Sequence, residues 1–518
     1  MTGGLIQLVA YGLQDLFLTK DPQITFFKVV YRRHTNFSME QIPQYFITQP
    51  DFGTTSTCVL AKQGDLISQI YLLITLPRIK QFYIDQNTLD NVTKFAWVRK
   101  LGYAMINYIE IEIGGQVIDK HYGDWLNIWA ELFSNTDTER STDAMIGNIP
   151  ELTDYSNGKD SYTLYVPLQF WFCRNSGLAL PLISLQYSDI KIRLELKSAE
   201  QCYVITPTNY ITVYNDIVNL KPYEYIEQNV NGQIASGIFT SYDIINKRLY
   251  YKRISRNPFL SIQSTSAVSV SDITNLIFDN NANLKYSIRG TTTGNLAMPA
   301  INASPVVVST NVVGTVSLSN CFLLVDYIYL DDDERTRFVQ SKHDYLIEQV
   351  STVNPKTVEG INRQLRLDLL QPSKLLVWTL QQDYFIDTVN NDFFNYTDSY
   401  VYNGTTPTGK SLIQQETIVL NGKERLSKRS YVYFNHIQPY QYLKHQPDEG
   451  INMYSFSNFP DKYQPSGSCN MSQIDQIAID IFTQNVVTVT NVAIFRCFSF
   501  GYNVLRIVNG LSGIVFTK

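Results

Sequence analysis

The fold is decided by one short stretch, Ile109-Glu110-Ile111-Glu112-Ile113-Gly114-Gly115-Gln116-Val117-Ile118-Asp119. Apolar and charged side chains alternate in it with the period of two that a half-buried β-strand requires. The paired glycines supply the positive φ angles of a tight hairpin turn. The stretch therefore predicts a strand, a two-residue turn and a returning strand.

The same pattern recurs along the chain and sets the fold class. Residues 417–420 run into Asn421-Gly422, and residues 190–197 alternate strictly between apolar and charged side chains. Helical spacing is scarce and favours only two helices, at 125–133 and at 334–349. Many short strands joined by Gly, Pro and Asn turns predict an all-β chain of antiparallel sandwiches with few short helices.

Parts of the sequence recur in one order. The matching positions, at a constant spacing, are Phe170 with Tyr454, Phe172 with Phe456, Pro181 with Pro465, and Ser188 with Ser472. A second likeness links residues 64–74 with residues 314–325. Recurrence of this kind predicts two tandem copies of one sandwich.

The recurrence suggests the domain boundaries. We expect an N-terminal arm at 1–25, a first sandwich at 26–215, a linker at 216–236 and a second sandwich at 237–518. Residues 262–315 are rich in Ser, Thr, Asn and Val and carry almost no charge. They predict a long loop insertion or a small β extension in the second sandwich.

The composition points to protein–protein contact. Only 17% of the 518 residues are charged, whereas 13% are aromatic and 35 are tyrosine. Tyrosine pairs an apolar ring with a polar tip, which suits broad protein interfaces. A net charge of −5 argues against bulk neutralisation of phosphates, so we expect no nucleic-acid partner.

The six cysteines are far apart and form no C-x-x-C pair, so they predict unpaired thiols in a reducing compartment. The N-terminus lacks a basic segment followed by a cleavable apolar one, which argues against a secretory signal. No apolar run approaches the roughly 20 residues of a membrane-spanning helix.

One segment, Gly404-Thr405-Thr406-Pro407-Thr408-Gly409-Lys410-Ser411, fits the pattern of a phosphate-binding loop. Such a loop binds phosphate only when a helix begins at its lysine. Residues 412–420 instead show a strand pattern that ends at Asn421-Gly422. We therefore interpret the segment as an ordinary loop and predict no nucleotide cofactor.

Other polar clusters have structural interpretations as well. Residues 331–334 are all acidic, which favours the N-terminus of a helix over a calcium loop. Residues 28 and 32–34 form a basic cluster that fits either a solvated or intersubunit strand edge or an anionic surface. His436 and His445 have no accompanying nucleophile motif, so we predict no enzyme, no catalytic residue, no metal site and no cofactor.

Six Asn-x-Ser/Thr sequences are weak candidates for glycosylation. They begin at Asn36, Asn91, Asn302, Asn395, Asn403 and Asn470.

Several longer motifs together resemble one known family. They are Gly3-Gly4-Leu5-Ile6-Gln7-Leu8-Val9-Ala10-Tyr11-Gly12, Arg32-Arg33-His34-Thr35-Asn36-Phe37, Tyr122-Gly123-Asp124-Trp125, Phe170-Trp171-Phe172-Cys173-Arg174-Asn175, Asp326-Tyr327-Ile328-Tyr329-Leu330 and Gln464-Pro465-Ser466-Gly467. This set is similar to the major capsid proteins of nucleocytoplasmic large DNA viruses. The resemblance covers nearly the whole chain except residues 255–315.

The resemblance implies two tandem eight-stranded antiparallel jelly rolls. It also implies a homotrimeric, pseudo-hexagonal capsomer that tiles an icosahedral shell beside neighbouring capsomers, minor cement proteins and penton proteins. An inner viral membrane would lie beneath the shell, and assembly would take place in the host cytoplasm. A minor capsid paralogue and a β-sandwich glycan-binding or fibre protein are the alternatives.

Overall fold

The computed structural model describes residues 3–10, 12–134, 136–215, 218–263, 284–308, 314–404 and 406–516. Strands dominate this part of the chain. They form five main sheets, which we number I to V. The first strands, in chain order, are β1 (Phe37–Gln44), β2 (Thr55–Val59), β3 (Leu66–Leu76), β4 (Tyr83–Asp85), β5 (Thr88–Leu89), β6 (Lys94–Trp97), β7 (Ile106–Ile113), β8 (Gln116–Tyr122), β9 (Tyr162–Pro167), β10 (Leu180–Pro181), β11 (Ile190–Leu196) and β12 (Tyr203–Thr206).

Short helices accompany these strands. They are α1 (Gly3–Val9), α2 (Asp15–Thr19), α3 (Leu101–Ala104), α4 (Gly123–Phe133), α5 (Glu139–Ile146), α6 (Pro150–Thr153) and α7 (Trp171–Arg174). Helix α4 confirms the helix predicted at 125–133.

The middle of the chain forms a separate sheet, sheet III. Its strands are β13 (Asn209–Thr212), β14 (Tyr225–Val230), β15 (Gln233–Asp243), β16 (Arg248–Arg253), β17 (Ile288–Gly290), β18 (Leu296–Ala297) and β19 (Val306–Val307). They are arranged in the order β18-β17-β14-β15-β16-β13-β19. The chain then enters β20 (Asn320–Leu330) and α8 (Asp332–Gln340).

The remaining strands are β21 (His343–Val358), β22 (Asn362–Leu367), β23 (Pro372–Gln382), β24 (Tyr402–Asn403), β25 (Thr406–Pro407), β26 (Ile413–Leu420), β27 (Lys423–Glu424), β28 (Arg429–Ser430), β29 (Ile451–Ser455), β30 (Cys469–Asn470), β31 (Ile477–Thr483), β32 (Ala493–Val508) and β33 (Leu511–Ile514). A π-helical turn, Tyr433–Ile437, leads into α9 (Gln438–Tyr442).

The two halves of the chain have the same strand topology. In the first, sheet I has the order β1-β20-β3 with β9 also on β3, and sheet II has the order β2-β11-β7-β8. In the second, sheet IV has the order β21-β32-β23-β29, and sheet V has the order β22-β31-β26-β27. We number the eight strands of each roll one to eight in chain order: they are β1, β2, β3, β7, β8, β9, β11 and β20 in the first roll, and β21, β22, β23, β26, β27, β29, β31 and β32 in the second. In both rolls, strands one, eight, three and six form one sheet, and strands two, seven, four and five form the other. This is the jelly-roll order, and it confirms the predicted fold class.

Local turn chemistry explains the hairpins. Gly114 and Gly115 have φ angles of 58° and 85° between β7 and β8, and Asn421 and Gly422 have 49° and 75° between β26 and β27. Residues with positive φ at both central positions match the twist of the flanking strands. Both predicted hairpins are confirmed.

The predicted boundaries need correction. The first roll does not end at residue 215, because β20 fills the gap between β1 and β3, and the second roll begins at β21 rather than at residue 237. The predicted linker 216–236 contains β14, which pairs with β15 around an Asn231-Gly232 turn. The arm reaches β1, well beyond residue 25, and its described side chains are exposed or half-buried.

The predicted insertion 262–315 belongs to the first roll, not to the second. Its strands β17, β18 and β19 complete sheet III, which lies in the chain between β11 and β20. Residues 264–283 and 309–313 of this insertion lie outside the described part of the chain.

Two further sequence interpretations were wrong. The likeness between 64–74 and 314–325 does not relate the two rolls, since Leu73 and Phe322 are paired neighbours on β3 and β20 of sheet I. The helix predicted at 334–349 ends at Gln340, and residues from His343 onward pair with β32 instead. A partner strand of 16 residues outweighs a weak helical spacing.

Each roll has an apolar core, and that of the first roll continues into Ile347, Leu505 and Ile507 of the second. In the second roll, Trp378 of β23 packs with Phe434 at a ring separation of 5.3 Å. The indole Nε1 of Trp378 donates a 2.7 Å hydrogen bond to Glu416 Oε2, and Glu416 is fully buried. Burial raises the pKa of Glu416 to about 8, because a charged carboxylate is poorly solvated there.

The buried carboxyl of Glu416 predicts a specific pH dependence of stability. The folded chain keeps this proton up to about pH 8, whereas the unfolded chain releases it near the ordinary value of 4.5. The contribution of this carboxyl group to the free energy of unfolding is therefore complete below pH 4.5 and decreases as the pH rises towards 8. We expect Glu416→Gln to match the parent in acid and to melt at a higher temperature at pH 9.

Thermal unfolding of the parent and the variant across this pH range tests the expectation. Glu227→Gln, which changes an exposed strand glutamate, is the control and should show no pH-dependent difference. A difference between Glu416→Gln and the parent that stays constant with pH would contradict the assignment.

Candidate assembly surfaces

Helix α4 joins the two rolls. It begins directly after β8 of the first roll, and its side chains Trp125, Ile128 and Leu132 are buried against the second roll. The spacing of these residues is that of one helix face. The surface they cover is the outer face of sheet IV, made by Val350, Leu375, Val377, Ile451, Met453, Phe498 and Phe500.

Aromatic packing dominates this contact. The ring of Trp125 lies 5.5 Å from that of Phe498 and 5.7 Å from that of Phe500. Trp129 meets Phe500 edge to face at 5.4 Å. Such pairs add about 0.5–1.5 kcal/mol each beyond the burial of their area. The contact therefore resembles a protein core more than a loose interdomain surface.

A buried ionic cluster lies beside the aromatic contact. Arg174 of α7 donates from Nη1 to Glu348 Oε2 at 2.9 Å, and Lys374 of β23 pairs with the other carboxylate oxygen. The Arg174 guanidinium also lies 4.6 Å from the centre of the Trp129 ring. Burial lowers the pKa of Lys374 to about 8, although Glu348 opposes the shift. The cluster thus links both rolls through one carboxylate.

Two hydrogen bonds from β8 add to this seam. Asp119 accepts a 3.2 Å bond from the backbone N–H of Val350 in the second roll. Gln116 Oε1 accepts a 3.2 Å bond from the N–H of Ile514. Because the first roll contributes one surface and the second a different one, the contact is heterologous.

Large apolar side chains are exposed in two other places. One is the arm, where Phe17 is 93% and Phe27 98% exposed. The other is the outer face of sheet I, where Tyr45 is 65% and Tyr165 42% exposed. Extended apolar surface of this kind is typical of contacts with other molecules. Over the described ranges, no helix combines the length and apolar character needed to cross a bilayer.

The predicted glycosylation sequences fall into two groups. Asn395 is fully buried, and its Nδ2 donates to Asp392 Oδ2 at 3.0 Å and to the Ser399 carbonyl at 2.8 Å. Its Oδ1 accepts from Thr397, so the side chain is enclosed in the fold, and its modification stays an untested prediction. The exposed members, whose modification stays a prediction, are Asn36, Asn91, Asn302, Asn403 and Asn470.

The segment that fits a phosphate-binding loop is followed by a strand. Arg99 Nη1 donates to the Gly404 carbonyl at 2.9 Å, and the Lys410 N–H donates to Asp398 Oδ1 at 2.7 Å. The chain then enters β26 of sheet V, which confirms the strand pattern. The lysine therefore does not open a helix, as phosphate binding would require.

The other predicted polar clusters do not form a common site. Asp331 caps α8 by accepting a 3.0 Å bond from the N–H of Asp332, which confirms the helix N-terminus. The basic residues at 28 and 32–34 lie exposed on the arm. His436 pairs with Glu449 at 3.1 Å, and His445 bonds the Glu131 carbonyl at 2.6 Å. Within the described ranges, His, Cys, Asp and Glu form no group of three that could hold a metal ion.

Two jelly rolls of one topology, joined by a heterologous contact and flanked by uncovered apolar faces, define a structural protein of the double jelly-roll class. The family model described as the major capsid protein N-terminus matches residues 25–233. The model described as the large eukaryotic DNA virus major capsid protein matches residues 334–513. The chain belongs to this family of viral major capsid proteins.

Known relatives agree over the full length. Probable capsid protein 4 of Acanthamoeba polyphaga mimivirus is 43% identical, with 100% of this chain and 99% of the relative covered. The major capsid protein of Phaeocystis pouchetii virus is 32% identical, with both chains covered completely. The Faustovirus major capsid protein has the same fold at a TM-score of 0.66 and 12% identity, covering 96% of this chain and 94% of that one. The protein is thus a structural component of a large DNA virus capsid.

The sequence identified α4 but not its partner surface. Leu375, Leu376, Val377 and Trp378 follow one another on β23, so both faces of this strand carry apolar side chains. An apolar run of this kind signals burial on both sides, yet it does not say which element covers which face.

The ionic cluster at the seam yields a prediction. We expect Glu348→Ala to lower the free energy of unfolding by about 3–5 kcal/mol, since it leaves Arg174 and Lys374 buried without a counter-charge. The exposed pair Asp344–Arg506, joined at 2.8 Å, gives the control. Asp344→Ala should leave the free energy of unfolding nearly unchanged, because solvent screens an exposed ion pair.

Chemical denaturation followed by tryptophan fluorescence measures both effects, because Trp129 adjoins the cluster. Equal losses for the two variants would show that the cluster contributes no more than a surface ion pair.

Proposed function

We propose that three copies of this chain form a closed capsomer with pseudo-hexagonal outline. The observation that carries this proposal is the seam between two rolls of one topology, in which one roll contributes α4 and the other an outer sheet face. A heterologous contact that repeats around an axis generates a ring. Two rolls per chain and three chains per ring give six similar wedges, which tile a surface as hexagons do.

The capsomer is proposed to act by association and not by catalysis. Its edges would contact neighbouring capsomers, and the exposed arm would lie on the inner side, towards minor cement proteins and a viral membrane. Penton proteins would fill the fivefold positions of an icosahedral shell. These partners are expected from the family, and the uncovered apolar side chains of the arm support a binding role for it.

Cytoplasmic assembly fits the chemistry of the cysteines. The six thiols are free, and four of them are buried in the rolls. Burial raises the pKa of Cys321 and of Cys202 to about 12, which suppresses thiolate formation and therefore disulfide exchange. Such residues suit a protein that folds and assembles in a reducing compartment.

The oligomeric state tests the capsomer. Size-exclusion chromatography with light scattering should give about three times the 59.4 kDa chain mass at micromolar concentration. Negative-stain micrographs of the same fraction should show hexagonal blocks. A stable monomer at that concentration contradicts the proposal.

Copy number in the virion separates this role from that of a minor capsid paralogue. A major protein should dominate the capsid by mass, whereas a paralogue would be scarce in it.

A further inference from the structure

The intrachain seam is a template for a contact between chains. In the first roll, the connection between strands five and six, residues 123–161, carries α4 and covers sheet IV of the second roll. Within sheet IV, Val377 lies opposite both Phe498 and Met453, and all three side chains are buried. They owe this burial to α4 on one face of the sheet.

Among the residues that the structure describes, none covers the equivalent face of the first roll in this way. In sheet I, Leu73 of strand three lies opposite Phe322 of strand eight and Tyr165 of strand six, the same three strands that meet at Val377 in sheet IV. Tyr45 adjoins them, with its ring 5.5 Å from that of Phe322. Tyr45 and Tyr165 are exposed, and Phe322 is half-buried. One face of the fold is thus covered in one roll and open in the other.

The second roll also carries an element equivalent to α4. Its connection between strands five and six, residues 425–450, holds the π-helical turn and α9. Phe434 anchors this segment in the core of the second roll, beside Trp378. On its outward side Val432 is 39%, Ile437 41% and Tyr440 87% exposed. The segment therefore offers apolar side chains that the described part of the chain leaves uncovered.

We propose that the outer face of sheet I, centred on Tyr45, Tyr165 and Phe322, receives residues 432–440 of a second copy of this chain. The contact repeats between chains what α4 does within one chain. It rests on the proposed capsomer, and it assigns the two surfaces that close the ring. Each chain then gives one segment and receives one, so three chains leave neither surface uncovered.

A second copy is the occupant that the fold itself favours. The two rolls share one topology, so each has a sheet face of the same kind and a connection between strands five and six. Sheet IV binds the connection of the first roll. Sheet I is its counterpart, and it can bind the connection of the second roll of another copy. The arm is the other apolar candidate, but it belongs to no repeated element and has no counterpart in the second roll.

Charge substitutions on either surface test the proposal. We expect Tyr45→Asp combined with Tyr165→Asp to convert the trimer into a monomer, since both side chains are exposed in the isolated chain and buried in the contact. Tyr440→Asp should have the same effect from the other side. Ile245→Asp is the matched control, because Ile245 is 87% exposed in the turn between β15 and β16, which belongs to neither surface, and its variant should remain a trimer.

Light scattering gives the mass of each variant, and circular dichroism shows that the sheets persist. A trimeric parent whose variants at 45, 165 and 440 all stay trimeric overturns the assigned surfaces but leaves the capsomer standing. A monomeric parent overturns the capsomer and the surfaces together.

Photo-crosslinking identifies the occupant directly. A benzoylphenylalanine at position 165 should link to a peptide from residues 425–450 of another chain. Links to the arm residues 3–36 would overturn the proposal, because the arm would then be what covers sheet I.

Discussion

The structure depends on the burial of one helix face. Trp125, Ile128 and Leu132 of α4 lose contact with water only because sheet IV presents a flat apolar face to them. At roughly 1.5–3 kcal/mol per large side chain, this burial offsets much of the cost of fixing one roll against the other. Ile347, Leu505 and Ile507 of the second roll also join the core cluster of the first, so the seam continues beyond the helix.

Buried charge fixes how the rolls meet. An apolar face alone tolerates sliding, because dispersion and burial have little direction. Glu348, with one carboxylate oxygen on Arg174 and the other on Lys374, is satisfied in a single arrangement only. Burying these three groups costs solvation energy, so the cluster is better understood as fixing geometry than as adding net stability. A shell requires that geometry, since a small angular error at each seam would prevent a ring from closing.

Sequence reasoning succeeded where structure is local. The Gly114-Gly115 and Asn421-Gly422 hairpins and helix α4 follow from turn chemistry and side-chain period. It failed where pairing is distant: nothing local to Phe322 indicates that β20 inserts between β1 and β3, so the first roll seemed to end too early. The Asn231-Gly232 turn carried the same signal as the other hairpins, but it fell between the two recurring segments and was therefore assigned to a linker. The contact surfaces between the rolls were harder to predict, because an apolar strand indicates that its side chains are buried but not which element covers them.

Duplication within one chain also orders assembly. The connection between the rolls holds α4 near sheet IV at an effective concentration that no second chain matches at micromolar levels. The seam therefore forms as the chain folds, while contacts between chains must still offset the loss of translational and rotational freedom. In the proposed capsomer, a preformed pair of wedges needs only three such associations to close a ring of six. The asymmetry between the covered sheet IV and the open sheet I is thus what a chain requires if it is to fold alone and assemble afterwards.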